Sequence, residues 1–288
     1  MSDERRRIPR WQIILMFLVV VVFFTGVGWG LWRFHASHPK VVIPEENRRN
    51  FARVAVLLDG TPSIHTEDFA VMKTIVQEKI IPNLGVNDVV LAFDVRPVFS
   101  LDKNRIFGSI GDGDQPPPVA LRTPCEILNS SGGKGKGAAA EELYGLVREV
   151  SGRDRRMREL RSGWAARVAA LRPSREKGSD ICDPLRELAH FLISGDSRAE
   201  KWLFVLSDLQ NESADQVCRS RQSFPPGTRV VLIYPFGPDD PKGRTSERFW
   251  RDLFGDREVE SFSFSALAGK PLLPPNPTAG LEKIELPG

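Results

Sequence analysis

Three short stretches of this 288-residue chain carry oxygen-bearing side chains where an ion could be held. The first is Asp59-Gly60-Thr61-Pro62-Ser63, which follows directly on the apolar run Arg53–Leu58 and sets a carboxylate and two hydroxyls at alternate positions. The second is Gly178-Ser179-Asp180-Ile181, just ahead of an amphipathic stretch, and the third is Ser207-Asp208, which closes the run Trp202–Leu206. Carboxylates and hydroxyls without cysteine or clustered histidine suit a hard divalent cation, Mg2+ first and Mn2+ or Ca2+ after it. Taken singly, each stretch also reads as an ordinary helix cap, because Asp, Ser and Thr satisfy the free N–H groups at a helix start.

Elements that could bring them together are legible around them. Arg53–Leu58, Asp88–Phe93, Trp202–Leu206, Arg229–Tyr234 and Val259–Phe264 are short, apolar and rich in β-branched residues. Between them lie segments of helical spacing: Glu67–Ile81, Leu185–Ile193, Ala214–Arg221 and Ser246–Phe254. Strands apolar on both faces that alternate with helices predict an α/β fold, a doubly wound, mostly parallel sheet flanked by helices. In such a sheet ligands bind in the crevice beyond the carboxyl ends of the strands, where all three oxygen-bearing stretches fall.

The order of these pieces resembles the von Willebrand factor A (VWA) family over about Arg53 to Phe264, with a lengthened middle. That family builds a metal-ion-dependent adhesion site (MIDAS) from an Asp-x-Ser-x-Ser loop, a Thr or Ser loop before a helix, and an Asp after the fourth strand. The resemblance implies a site of Asp59, Thr61, Ser63, Ser179 and Asp208. The three hydroxyls would bind the ion directly or through water, the two carboxylates would hold ordered waters, and an open position would take an acidic residue from a protein partner. Thr61 stands in place of the first Ser, Ser179 in place of Thr, and Leu209 where Gly is frequent; the hydroxyl changes keep the oxygen, whereas Leu209 and the methyl of Thr61 are expected to bear on loop shape or ligand access.

The chain begins with a different kind of segment. Ile13–Trp32 is twenty residues without a charge, about 30 Å as a helix, which matches the hydrocarbon core of a bilayer. Trp11, Trp29 and Trp32 flank it, and Arg5, Arg6, Arg7 and Arg10 precede it. The expected layout is a cytoplasmic tail over 1–11, one transmembrane helix over 12–33, a tether over 34–50, a VWA-like domain over 51–266 with an insertion at about 96–177, and a Pro-rich tail over 267–288. Positive charge on the amino-terminal side puts that end in the cytoplasm and the domain outside it, at a cell (inner) membrane, periplasmic if the source is bacterial. A cleaved signal peptide fits less well: the apolar run is long and Phe34 stands where a small residue is needed.

Charge excludes one class of partner. Lys plus Arg number 40 against 37 acidic residues, and the first 33 residues hold five of the former and two of the latter, leaving 35 of each sign. Nucleic acid is therefore not an expected partner. Within the insertion, Arg148–Lys177 carries ten basic residues against four acidic, with Met157, Leu160, Trp164, Val168 and Leu171 as an apolar stripe. Arg153, Arg155, Arg156 and Arg158 are candidates for docking an acidic partner or anionic headgroups, set against the simpler reading of a solvated helix face.

Two functions follow: a membrane-anchored module that binds a protein through the ion, or a metal-independent scaffold or assembly factor of an envelope complex that docks through the basic helix. Catalysis is not expected. Leu58-Asp59-Gly60-Thr61 resembles the start of haloacid-dehalogenase-like phosphatases, but Leu57 occupies the nucleophile's place. No GxSxG elbow is present, and GGKGKG lacks the ending of a phosphate loop. Of Cys125, Cys182 and Cys218, two can pair in an oxidising compartment, in any of three combinations.

Overall fold

A computed structural model describes residues 52–108, 135–175, 181–208 and 224–273, apart from 195–196, 198, 238–239, 241–247, 249, 256–257 and 268. The chain divides into two units, Met1–Val42 with Ile284–Gly288, and Ile43–Lys283; all described residues belong to the second. The expected transmembrane helix, the tether, the helix at 214–221, Ser179, Leu209, Cys125 and Cys218 lie outside the described residues. Among the described residues no helix is long and apolar enough to cross a membrane.

Six strands form one sheet: β1 (Ala52–Asp59), β2 (Val89–Val95), β3 (Arg105–Gly108), β4 (Glu200–Leu206), β5 (Thr228–Tyr234) and β6 (Glu258–Ser263). Their spatial order is β3-β2-β1-β4-β5-β6, and every pairing is parallel except β2 with β3. This is the doubly wound, mostly parallel sheet expected. The order reverses between β1 and β4, so the crevice beyond their carboxyl ends is the topological switch point. Sequence reading misses β3: Arg-Ile-Phe-Gly is too short to show a period, and it lies inside the stretch assigned to the insertion. That insertion therefore supplies the sheet's antiparallel edge.

Alternate strand residues face opposite ways, and the two cores follow that parity. Val54, Val56 and Leu58 pack with Phe69, Met72, Met157, Trp164 and Val168. Ala55 and Leu57 pack with Leu185, Leu188, Trp250 and Phe254. The first face is covered by α1 (Thr66–Ile75) and the 36-residue α3 (Gly135–Ala170), and the second by α4 (Cys182–Ile193) with the helical residues 250–254. A four-residue turn of helix, α2 (Leu101–Asn104), leads into β3.

Helix α1 continues through a π-helical turn, Val76–Ile80, into the 3-10 turn Ile81–Asn83, and Pro82 marks where the helix ends. This composite element holds α3. Lys73 Nζ donates to the carbonyls of Ala169 and Leu171, where a cation meets the negative end of the helix dipole, and Gln77 donates to the Ala165 carbonyl. Trp164 stacks on Phe107 of β3, ring centroids 5.3 Å apart. Met157, Trp164 and Val168 are buried as the stripe predicts, while Leu160 stays exposed.

Buried charges pin the amino-terminal ends of the inner strands β1 and β2. Asp88 accepts from the backbone N–H groups of Ala52 (2.7 Å) and Gly85 (2.6 Å), which fixes the starts of β1 and β2 together. Arg53 donates to the Phe191 carbonyl and to Ser194 Oγ, with its guanidinium over the Phe191 ring. At the other end of the chain, Leu267, Leu272 and Leu273 are buried in the first core, so the packed domain continues past residue 266 into the segment assigned to the tail.

Candidate functional site

The end of β1 delivers Asp59 to the switch point, buried to 2% exposure. Both of its oxygens are engaged. Oδ1 accepts from the Thr61 backbone N–H at 3.0 Å, which folds the chain back into a tight loop, and Oδ2 accepts from Ser207 Oγ at 2.7 Å. Ser207 is the first residue after β4, and the parallel register that pairs Leu58 with Leu206 sets it level with Asp59. Asp208, the next residue, is buried at the same end of the sheet.

The loop then presents its hydroxyls. Thr61 is buried and Ser63 half-buried, and their Oγ atoms lie 3.1 Å apart. At that distance the two hydroxyls are hydrogen-bonded to each other; two adjacent ligands on an octahedral Mg2+, with bonds of about 2.0–2.1 Å, also stand about 3 Å apart, so an ion that takes both oxygens in place of that bond needs no change in their separation. Thr61 O also accepts from Ile64 N–H, which makes the loop a turn closed just before α1.

A residue that sequence reading passes over completes the surroundings. Asp94, near the carboxyl end of β2, is buried, and its Oδ1 lies over Gly60. A Cβ built on Gly60 would come 2.7 Å from that oxygen and 3.4 Å from the Phe69 ring, so Gly at position 60 lets the Asp94 carboxylate approach the loop backbone. Asp94 Oδ2 accepts from Arg96 Nε at 2.6 Å, and the Arg96 Nη2 also ion-pairs with it. Burial pushes the Asp94 pKa up to about 7, opposed by the charge and hydrogen bond of Arg96 and reinforced by the negative charge of Asp59. Its signal in sequence is the same as that of Asp59, an acid closing an apolar run (Val89–Phe93) at a strand's carboxyl end.

The stretch that leaves α3 is tied to the same loop. Arg96 Nη2 donates to the Arg172 carbonyl at 2.9 Å, and Ser174 N–H donates to the Gly60 carbonyl at 2.6 Å. This brings the chain to within five residues of Ser179, which itself lies outside the described residues. On the far side of that gap Cys182 opens α4 and is disulfide-bonded.

Of the predicted site residues, the structure therefore brings Asp59, Thr61 and Ser63 together, links Asp59 to the β4 end through Ser207, and buries Asp208 at that same end. Among the described residues no three His, Cys, Asp or Glu side chains converge as a metal-binding group. A cation here would have to rest on hydroxyls, with carboxylates behind them, and the hydroxyl pair fits that arrangement.

The basic helix is less uniform than its composition suggests. Arg153 pairs with Glu149 at 2.7 Å and Arg158 with the buried Asp154 at 2.5 Å, both one helical turn apart. Arg161 reaches back to the Leu84 carbonyl. Arg155 and Arg156 are exposed. Two of the four arginines offered as a docking patch are thus already engaged within the helix.

No family model matches the sequence, and no curated protein matches it. Among solved structures, one similar chain is proximal thread matrix protein 1 from the mussel byssus, whose structure has a zinc-occupied MIDAS motif. Identity is 14%, the TM-score is 0.38, and the match covers 75% of this chain and 45% of that one, so the chain spans less than half of that protein's length. The fold assignment rests instead on the strand order and parallel register.

Proposed function

We propose that this chain is a membrane-anchored, VWA-like binding module that holds a divalent cation at the switch point and presents it to an acidic group on a protein partner. The observation that carries the reading is the Thr61–Ser63 hydroxyl pair, 3.1 Å apart and braced from behind by Asp59, which is itself held by Ser207. Mg2+ fits the set best, with Mn2+ or Ca2+ as substitutes, because neutral oxygens with few charges suit an ion that keeps part of its water. Asp208 and Ser179 supply the remaining ligands or hold their waters. An ion held in this way keeps an exchangeable position, and a partner's carboxylate is the natural occupant. The anchor is the apolar segment 12–33, with the domain on the extracytoplasmic side. No catalytic role is assigned: the buried carboxylate of Asp59 is engaged by two donors and is no free nucleophile.

Mn2+ tests this directly. Adding it to the full chain in detergent should enhance water-proton relaxation, an acidic peptide should reverse the enhancement, and Asp59→Ala should abolish it. A relaxation profile identical to free Mn2+ would refute the cation reading.

A second reading is favoured by one observation, the exposure of Arg155 and Arg156 on a helix firmly fixed at its carboxyl end by Lys73, Gln77 and Trp164. In that case the chain is a scaffold whose docking survives Asp59→Ala and is lost on reversing the charges of Arg155 and Arg156.

A further inference from the structure

Among the described residues, Asp94 has one carboxylate oxygen without a hydrogen-bond partner. Its Oδ2 is used by Arg96 and its backbone carbonyl accepts from Asn104 Nδ2 at 3.0 Å, whereas no hydrogen bond reaches Oδ1 among the described residues. The residue is 3% exposed, so water does not freely replace that partner. An unmet buried carboxylate oxygen costs about 1–3 kcal/mol or more and is kept only where something compensates. It faces the loop that carries the hydroxyl pair, and its approach to that loop depends on the missing side chain of Gly60.

The bond to Arg96 does not by itself require an acid at position 94. A strand end can close on Ser or Asn and still accept from Arg96, and position 60 needs no glycine for its dihedral angles, since its φ lies outside the left-handed range. An acid on β2 and a glycine on the β1 loop instead make room for each other, and they open a negative oxygen toward the Asp59–Ser63 loop. The Asp94–Arg96 pair further reaches Arg172, so the same carboxylate is connected to the chain that leads toward Ser179.

We propose that Asp94 is an additional binding residue of the cation site, its Oδ1 accepting a hydrogen bond from a water on the ion across the gap left by Gly60. This deepens the cation reading and rests on it. A cation nearby favours the ionised form of Asp94, which then supplies a third negative group to a site whose direct ligands are mostly neutral hydroxyls and so favours a divalent over a monovalent ion. Outer partners of this kind change metal affinity by about 10–100-fold when removed.

The test is calorimetric titration of the full chain with Mg2+ alone, using wild type, Asp59→Ala, Asp94→Asn, Gly60→Ala and the double variant of the last two. Asp94→Asn keeps size and can still accept from Arg96, but turns a donor or a neutral oxygen toward the ion. The expected result is a loss of Mg2+ affinity of about ten-fold or more in Asp94→Asn, a similar loss in Gly60→Ala, and no further loss in the double variant, because both act through one contact. Circular dichroism on the same samples checks that each remains folded. If wild type binds Mg2+ and Asp59→Ala does not, while Asp94→Asn binds as wild type, the role of Asp94 is overturned and the cation site stands. If wild type binds no Mg2+, both fall together.

Discussion

Ser207, just beyond β4, donates its hydroxyl to Asp59 Oδ2 at the end of β1 across 2.7 Å, joining the two strand ends at the point where the sheet order reverses. The bond spans 148 residues of sequence and is buried, so it sets the position of the site's central carboxylate from a separate part of the chain. Replacing Ser207 with Ala leaves one oxygen of a buried carboxylate without this donor. The expected cost is about 1–3 kcal/mol of stability by chemical denaturation, together with weakened Mg2+ binding.

Thr61→Val removes the hydroxyl and keeps the shape. The Asp59–Thr61 backbone bond is untouched by it, so stability without cation should fall by no more than about 1–2 kcal/mol. The rise in thermal midpoint on adding Mg2+ should disappear. A Thr61→Val protein that still responds to Mg2+ as wild type would remove Thr61 from the ligand set.

Stability should also depend on pH through Asp94. Its carboxyl titrates at about 7 when folded against an ordinary value of 3.8, so between those limits the native state holds a proton that the unfolded chain has lost. This contribution is fully present below pH about 4 and declines as pH rises through 7. At about 1.4 kcal/mol per pKa unit its upper bound is about 4 kcal/mol. Denaturation in EDTA from pH 5 to 8 should show the decline in wild type and a flatter profile in Asp94→Asn. Equal slopes in the two proteins would contradict it.

The packing of α3 onto β3 gives a prediction independent of any ion. Trp164 is 6% exposed and stacks on Phe107, so Trp164→Ala should cost about 3–5 kcal/mol through lost burial and the cavity left behind. Reversing Arg155 and Arg156 to Glu, by contrast, changes exposed positions and should move stability by less than about 0.5 kcal/mol each. Urea denaturation of both variants checks the contrast.

The parts legible in sequence are those with a local signature. β1, β4 and β5 are apolar on both faces, and the ends of β1 and β4 mark Asp59 and Ser207-Asp208. The stripe of Met157, Trp164 and Val168 likewise announces the buried side of α3. Residues whose role is set by distant neighbours are not legible. Asp94 ends a strand as many acids do, and only the parallel register with β1 puts it over Gly60. Ser207 reads in sequence only as the residue before Asp208, because its bond to Asp59 exists solely through the β1–β4 pairing. β3 has too few residues for a period, and Leu272 and Leu273 are hidden by the prolines that follow them.

The most direct measurement is the thermal midpoint of the full chain titrated with Mg2+, Mn2+ and Ca2+, wild type against Asp59→Ala. Binding to the native state raises the midpoint by mass action. The expected result is a saturable, cation-dependent rise in wild type that EDTA reverses and Asp59→Ala lacks. A midpoint indifferent to all three ions, or an equal rise in both proteins, would contradict a cation site at the end of β1.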